Sequence, residues 1–218
     1  MAKADLLMPL ILKWEGGYSH HPNDNGGCTM KGVTINTYRS FFGDFKNCSD
    51  LKNITDDEWL TIFKDGYWNP LKGDDILNQS IANIIVDWGW MSGVRTAAKK
   101  IQKILDVECD GKFGPMTLAR LNESNQEELF DNIYKERENF YHSICEKNPK
   151  QQCFLKGWLN RLEDYVFEEE PKVEIIEEKK EEVEIIEEKK EEDEKIHENN
   201  KKHFTDTMFD LGGAFLYK

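Results

Sequence analysis

The segment from residue 75 to residue 91 constrains the fold more than any other part of the sequence. Its apolar residues recur at helical spacing and cover much of the circumference of a helix; they are Ile76, Leu77, Ile81, Ile84, Ile85 and Trp88. A helix that is apolar on most sides is stable only when other elements surround it. The sequence therefore predicts a buried central helix with the remaining elements packed around it.

Most other segments of the first 167 residues also carry helical patterns. Thr55 and Glu58 form a capping box that predicts a helix start, and Ser124 with Glu127 forms a second one. Ser92 is expected to cap another helix, and Pro115 suits the first position of a short one. The expected helices are 3–15, 55–67, 75–91, 92–105, 115–121, 124–144 and 150–167.

Residues 16–54 have a different composition, rich in Gly, Asn, Asp, Ser and Pro. Such residues favour turns and loops over regular elements. A strand at 32–35 and a short helix at 37–42 are the elements expected there. The sequence thus predicts a mainly α fold with a long loop near its N-terminus.

The composition changes sharply at Glu168. Residues 168–195 hold fifteen acidic and six basic residues, and Val173–Glu182 recurs unchanged as Val183–Glu192. Ten residues advance a helix by about 1000°, so an apolar stripe would slip by about 80° per copy and form no coiled-coil seam. We expect an acidic helical or disordered tail.

Charge and cysteine content limit the function classes. Of the net charge of −13, residues 168–195 carry −9 and the remaining residues −4, so a mildly acidic body and a strongly acidic tail argue against a nucleic-acid partner. The five cysteines are an odd number without metal-ligand spacing, which favours free thiols in a reducing compartment. The apolar run from Leu6 to Leu12 is interpreted as a helix of the mature protein, not a signal peptide, and no stretch reaches the length of a membrane span.

Glu15 stands at the end of the first predicted helix, before Gly16, which is expected to end that helix in a left-handed conformation. The partial negative charge of a helix C-terminus disfavours a second negative charge, and Trp14 and Tyr18 could add desolvation. A glycosidase keeps its general acid protonated in this way. The alternative is an ordinary helix end with no chemistry.

Several motifs then occur in an order that resembles the glycoside hydrolase family 108 domain. They are Glu15-Gly16-Gly17-Tyr18, His21-Pro22-Asn23-Asp24, Gly26-Gly27, Gly32-Val33-Thr34, Tyr67-Trp68-Asn69-Pro70 and the segment from Asp87 to Gly93. Asp110-Gly111, Gly114-Pro115 and Gly157 to Arg161 resemble the peptidoglycan-binding region that accompanies this domain.

The resemblance covers about residues 5–166 and implies a lysozyme-like helical fold with a long N-terminal active-site loop. It also implies N-acetylmuramidase activity with Glu15 as the proton donor. One position departs from the family pattern, which commonly has Glu where this chain has Cys28. The implied organisation is a catalytic part (1–92), a peptidoglycan-binding-like helical part packed on it (93–167), an acidic repeat linker (168–203) and a C-terminal segment (204–218).

Several residues are candidates for the second catalytic group. Asp24 follows Glu15 by nine residues and Thr29 follows Asp24 by five, an order similar to that of short phage lysozymes. In an inverting mechanism these two side chains would hold the attacking water. Asp24 could instead form a structural turn, and Thr34 could take the role of Thr29.

Five further side chains are candidates for substrate binding: Tyr18, His21, Thr34, Trp68 and Asp87. Trp68 could stack on a sugar ring, although aromatic residues at helical spacing are more often core residues. Asp87 within an apolar helix needs a partner if it is buried, so a structural contact competes with a cleft position. We expect no metal ion and no cofactor.

The expected function is hydrolysis of the β-1,4 bond between N-acetylmuramic acid and N-acetylglucosamine, by a monomer acting on bacterial peptidoglycan. A phage or prophage endolysin fits this pattern. It would be made in the host cytoplasm and reach the wall through a holin or an export system, to act in the periplasm or outside the cell. The alternatives are a lytic transglycosylase and a non-catalytic wall-binding or virion protein.

Overall fold

The computed structural model describes residues 1–20 and 27–169. The described residues fall within one compact unit. The acidic repeats and the C-terminal segment 204–218 lie outside the described residues, as do His21 and Asp24. No helix in the described part of the chain is long and apolar enough to cross a membrane.

The described residues are mainly helical, which confirms the predicted fold class. A π-helical turn, Lys64–Trp68, continues the helix that ends at Phe63, and 3-10 turns occur at Gly73–Asp75 and Pro149–Gln151. The short strands β1 (Thr29–Met30) and β2 (Val33–Thr34) pair as an antiparallel hairpin. The helices are α1 (Ala4–Trp14), α2 (Ile35–Phe42), α3 (Cys48–Lys52), α4 (Asp56–Phe63), α5 (Gln79–Ser92), α6 (Val94–Ile104), α7 (Pro115–Glu123), α8 (Gln126–Lys147) and α9 (Gln152–Glu163).

Helix α5 is the predicted central helix. Nine of its residues are buried, and it packs against both α6 and α8. It is capped by the preceding residue, Asn78, whose side-chain oxygen accepts a hydrogen bond from the backbone N–H of Ile81 at 3.0 Å. Burial on all sides explains why its apolar residues are not confined to one stripe.

The predicted helix ends are partly confirmed. The capping box at Thr55 and Glu58 is present, and Pro115 occupies the first turn of α7. The two other predicted caps are wrong by one residue: Gly93, with φ +85°, precedes α6 in place of Ser92, and Asn125 caps α8 in place of Ser124. Gly93 adopts a positive φ and forms no side-chain cap. The Asn125 side chain accepts a hydrogen bond from the backbone N–H of Glu128.

The predicted left-handed cap at Gly16 is also wrong. Helix α1 ends because the backbone of Glu15 itself becomes extended, with φ −86° and ψ 134°. An extended residue at this point turns the chain toward the β-hairpin and requires no glycine with a positive φ. The Glu15 side chain therefore leaves from the point where the helix stops.

Two of the cysteines are joined, contrary to the expectation of free thiols. Cys28 and Cys48 form a disulfide with their Cα atoms 5.8 Å apart. Cys109, Cys145 and Cys153 are free. The bridge ties the residue before β1 to the first residue of α3, a proximity that depends on how the residues between them fold.

Candidate active site

The chain after Glu15 is attached to the β-hairpin by backbone hydrogen bonds. The N–H of Lys31 donates to the carbonyl of Gly16 at 3.2 Å. Ser19 and Thr29 exchange two bonds, of 2.9 and 2.8 Å. The C-terminal end of α1 is therefore fixed against the hairpin, which places the Glu15 carboxyl group beside the turn of the hairpin.

The Glu15 carboxyl group has two different oxygens. Oε1 accepts hydrogen bonds from Trp90 Nε1 at 2.7 Å and from Arg161 Nη1 at 2.9 Å. Oε2 receives no hydrogen bond from another described residue. The side chain is 15% exposed, so it is largely enclosed but still reachable from solvent.

Gly32, in the turn of the hairpin, leaves room for this carboxyl group. Its φ is +76°, a left-handed backbone conformation that residues other than glycine rarely adopt. A Cβ atom at this position would lie 2.5 Å from Glu15 Oε2 and 2.8 Å from Trp90 Cζ2. Both the backbone conformation and the close approach therefore require glycine.

Aromatic rings hold Trp90 in the orientation that reaches Glu15. The Trp90 ring lies with its centroid 4.6 Å from that of Tyr67, 5.5 Å from that of Trp59 and 6.2 Å from that of Phe63. The indole N–H of Trp59 donates to the carbonyl of Lys31 at 2.9 Å, which joins this cluster to the hairpin. Burial raises the pKa of Tyr67, and the nearby charge of Glu15 raises it further.

Arg161, near the end of α9, links Glu15 to a second carboxylate in the core. It binds Asp87 through Nε at 3.0 Å and through Nη2 at 2.5 Å, both to Oδ1. Arg137 forms an ion pair with the other oxygen of Asp87 and also donates to Tyr141 and to the Ile84 carbonyl. Arg161 therefore donates hydrogen bonds to both carboxyl groups.

Asp87 is charged despite complete burial. Burial by itself raises the pKa of this carboxyl group, but the charges of Arg137 and Arg161 outweigh burial and hold the pKa below its ordinary value. A buried carboxylate needs such partners because desolvation of an unpaired charge is very unfavourable. The structural contact considered for Asp87 is confirmed, and the prediction that it binds substrate is wrong because its side chain is fully enclosed.

Trp68 is also placed in the core. It is completely buried, and its indole N–H donates to Asp74 Oδ1 at 2.8 Å. A sugar ring could not reach its faces, so the prediction of substrate stacking is wrong for this residue. The competing interpretation of Trp68 as a core residue is correct.

The two threonines differ in how their hydroxyl groups are used. Thr34 Oγ1 caps α2, accepting from the backbone N–H of Thr37 at 3.2 Å and contacting Thr37 Oγ1 at 3.0 Å. The Thr29 hydroxyl forms no hydrogen bond with another described residue.

Tyr18 is 37% exposed and has Lys52 Nζ 5.5 Å from its ring centroid.

Trp90, Arg161 and Arg137 are the site residues that the sequence did not assign. From its place beside Trp158 in the sequence, Arg161 is interpreted as a packing and salt-bridge residue, which describes its contact with Asp87 but not its contact with Glu15. The signal that could have found it is the buried aspartate in an apolar helix, which needs a cation from elsewhere in the chain. Within residues 1–20 and 27–169, no group of three or more His, Cys, Asp or Glu side chains is arranged to hold a metal ion.

Comparison with known proteins identifies both parts of this unit. Residues 8–93 match the family Glycosyl hydrolase 108, and residues 96–163 match the family described as Predicted Peptidoglycan domain. The resemblance inferred from the ordered motifs is therefore confirmed: the chain is similar to the first family over residues 8–93 and to the second over residues 96–163.

A solved structure supports the same assignment. The chain is similar to SagA of Brucella abortus, with 28% sequence identity and a TM-score of 0.64 over 74% of this chain and 90% of that one. The lysozyme-like helical fold is thereby confirmed. Comparison with curated proteins gave no match. The two domains together support a glycoside hydrolase that acts on peptidoglycan.

Proposed function

We propose that this protein is an N-acetylmuramidase in which Glu15 is the general acid. The observation that carries the proposal is the asymmetric carboxyl group at the end of α1: Oε1 is bound by Trp90 and Arg161, and Oε2 has no partner among the described residues. A glycosidase needs one carboxyl group that can give a proton to the glycosidic oxygen.

The geometry supports a division of labour between the two oxygens. The proton would reside on Oε2, because Oε1 already accepts two hydrogen bonds. When the proton passes to the leaving oxygen, the carboxylate that forms already has an arginine and an indole N–H as donors. Stabilisation that is in place before the reaction requires no rearrangement during it.

Asp24 and Thr29 remain our candidates for the groups that hold the attacking water. Thr29 is favoured over Thr34 because its hydroxyl forms no hydrogen bond with another described residue, whereas the Thr34 hydroxyl caps α2. Asp24 lies outside the described residues. Tyr18 and His21 remain candidates for contacts with the glycan.

The direct test compares the wild type with Glu15→Gln on purified sacculi. Loss of a general acid typically lowers the rate about 10²–10⁴-fold, while glutamine keeps the shape of the side chain and leaves the fold intact. Release of soluble fragments by Glu15→Gln at the wild-type rate would contradict the assignment. Thermal unfolding of both proteins controls for misfolding.

The masses of the released fragments separate the proposal from its alternatives. Reducing muramic acid ends indicate hydrolysis, whereas anhydro-muramyl ends indicate a lytic transglycosylase. Binding to sacculi without release of fragments indicates a non-catalytic wall-binding or virion protein. We further propose a role as a phage or prophage endolysin that reaches the wall through a holin or an export system. Lysis upon coexpression with a holin, and its absence without one, would support that role.

A further inference from the structure

An aromatic groove lies beside the Glu15 site, on the face of α9 that is turned toward the ends of α1 and α5. Its volume is about 280 Å³, close to the lower end of the range typical of ligand pockets. The residues that form this aromatic groove include Trp14, Met91, Phe154, Gly157, Trp158 and Arg161. They come from both matched domains, so the groove exists only when the two are folded together.

Gly157 has no packing reason to be glycine. It lies inside α9, and a Cβ atom there would meet no other atom within 4 Å. Its φ is not positive, so the backbone does not require glycine either. A glycine in a helix interior is less favourable than alanine by about 1 kcal/mol. Because glycine has no side chain, Gly157 leaves the aromatic groove open at this position.

The sides of the groove present aromatic surface to solvent. Phe154 is 54% exposed and stacks on Trp158, with ring centroids 6.0 Å apart and an interplanar angle of 26°. Trp14 is held from behind, because its indole N–H donates to Asp164 Oδ2 at 2.5 Å. Flat, fixed rings of this kind pack well against the apolar C–H face of a pyranose ring.

Arg161 connects the aromatic groove to the proposed acid. It lines the groove and also donates to Glu15 Oε1 at 2.9 Å. A single side chain therefore contacts both the groove and the proposed acid. We propose that the aromatic groove binds one sugar unit of the peptidoglycan glycan strand, adjacent to the bond that is cleaved. This assignment rests on the proposed function, since it takes the glycan strand to pass Glu15.

The test measures binding rather than turnover. In a Glu15→Gln background, Gly157→Leu places a bulky side chain in the groove from a position where the Cβ atom meets no protein atom. The affinity of this double variant is measured for soluble, uncrosslinked glycan strands released from sacculi by an amidase. We expect the dissociation constant to rise at least about tenfold, and about threefold to tenfold for Phe154→Ala, since one aromatic contact is modest. The matched control is Gln152→Leu, an exposed position on α9 outside the groove.

Thermal unfolding and Gly157→Ala complete the design. Gly157→Ala should raise the unfolding midpoint by a few degrees, because alanine favours the helix and meets no other atom. A dissociation constant for Gly157→Leu within about twofold of its parent, or an equal loss in Gln152→Leu, overturns the groove assignment. The proposed function fails by a different result, namely release of fragments from sacculi by Glu15→Gln alone.

Discussion

Glu15 and Asp87 are two carboxylates bound by the same arginine, yet their surroundings differ in ways that decide their roles. The Asp87 side chain is fully buried, and both of its oxygens are bound by arginines. The Glu15 side chain is 15% exposed, and only Oε1 is bound by residues that the structure describes. A carboxylate with both oxygens occupied and no access to solvent can only support the fold. One that keeps an accessible oxygen can exchange a proton.

The largest expected effect is on stability and comes from the buried partner. Asp87→Asn removes the negative charge between Arg137 and Arg161, and breaking a buried pair typically costs about 3–5 kcal/mol. Chemical denaturation at neutral pH measures this loss. Glu15→Gln serves as the matched control, and an equal loss of stability in both variants would remove the distinction between the two carboxylates.

The contribution of Asp87 to stability depends on pH in a direction that its lowered pKa determines. Because the pKa of Asp87 is lowered in the folded state, its contribution to stability is present above the ordinary carboxyl value of 3.8. That contribution is lost as the pH falls through the folded-state pKa. The wild type should therefore lose more stability upon acidification than Asp87→Asn does.

Arg161→Lys breaks the link between the two carboxylates while keeping the charge. A lysine has one nitrogen where arginine uses three, so it cannot bind Asp87 twice and reach Glu15 at the same time. Hydrogen bonds to charged groups contribute about 1.5–3 kcal/mol, and we expect a stability loss of that order with a rate reduction of about tenfold or more. Rate measurements and denaturation are made on the same samples.

Arg120→Lys is the control for that variant, because Arg120 is exposed and lies in the same domain. It should change neither the rate nor the stability. If Arg161→Lys lowered stability without any change in the hydrolysis rate, the arginine would support Asp87 alone and Glu15 would not depend on it.

Gly32→Ala changes the surroundings of Glu15 and leaves Asp87 untouched. The added Cβ atom would meet Glu15 Oε2 and Trp90, and the positive φ adds strain of about 1–3 kcal/mol. We expect a rate loss larger than the loss of stability explains, measured as hydrolysis at a temperature well below unfolding. Gly17→Ala, where a Cβ atom meets nothing within 4 Å, should be nearly neutral.

The smallest effect is expected one helical turn from Arg161. Asp164 binds Lys13 and Trp14, and its pKa is lowered chiefly by the hydrogen bond from Lys13. Partly exposed pairs contribute about 0.2–1 kcal/mol, so Asp164→Asn should lower the free energy of unfolding by no more than that. The difference should shrink as the pH falls below the ordinary carboxyl value and vanish below the lowered folded-state pKa of Asp164, and it should also weaken at high salt. A loss as large as that of Asp87→Asn would show that partial exposure does not weaken this pair.

The sequence predicts those parts of the site that depend on residues close together in the chain. The apolar periodicity before Glu15 and the turn-forming residues after it predict a carboxyl group at a helix end, and the structure places it there. The apolar character of 75–91 likewise predicts the central helix. These features are decided by residues within a few turns of one another.

The contacts that distinguish Glu15 depend on distant residues and were not predicted. Arg161 lies 146 positions from Glu15, and the disulfide partners Cys28 and Cys48 are 20 apart. No periodicity or motif spacing reports which side chains meet once helices pack together. Trp68 shows the same limit, because its position in a family motif could not distinguish a buried ring from an exposed one.

The most direct test asks whether Glu15 supplies a proton to the leaving group. Glu15→Gln and the wild type are compared on the natural glycan and on a dinitrophenyl glycoside of the muramyl disaccharide, whose leaving group needs no proton. The account predicts a loss of about 10²–10⁴-fold on the glycan and a far smaller loss on the activated glycoside. An equal loss on both substrates would contradict it, because the role of Glu15 would then not be proton donation.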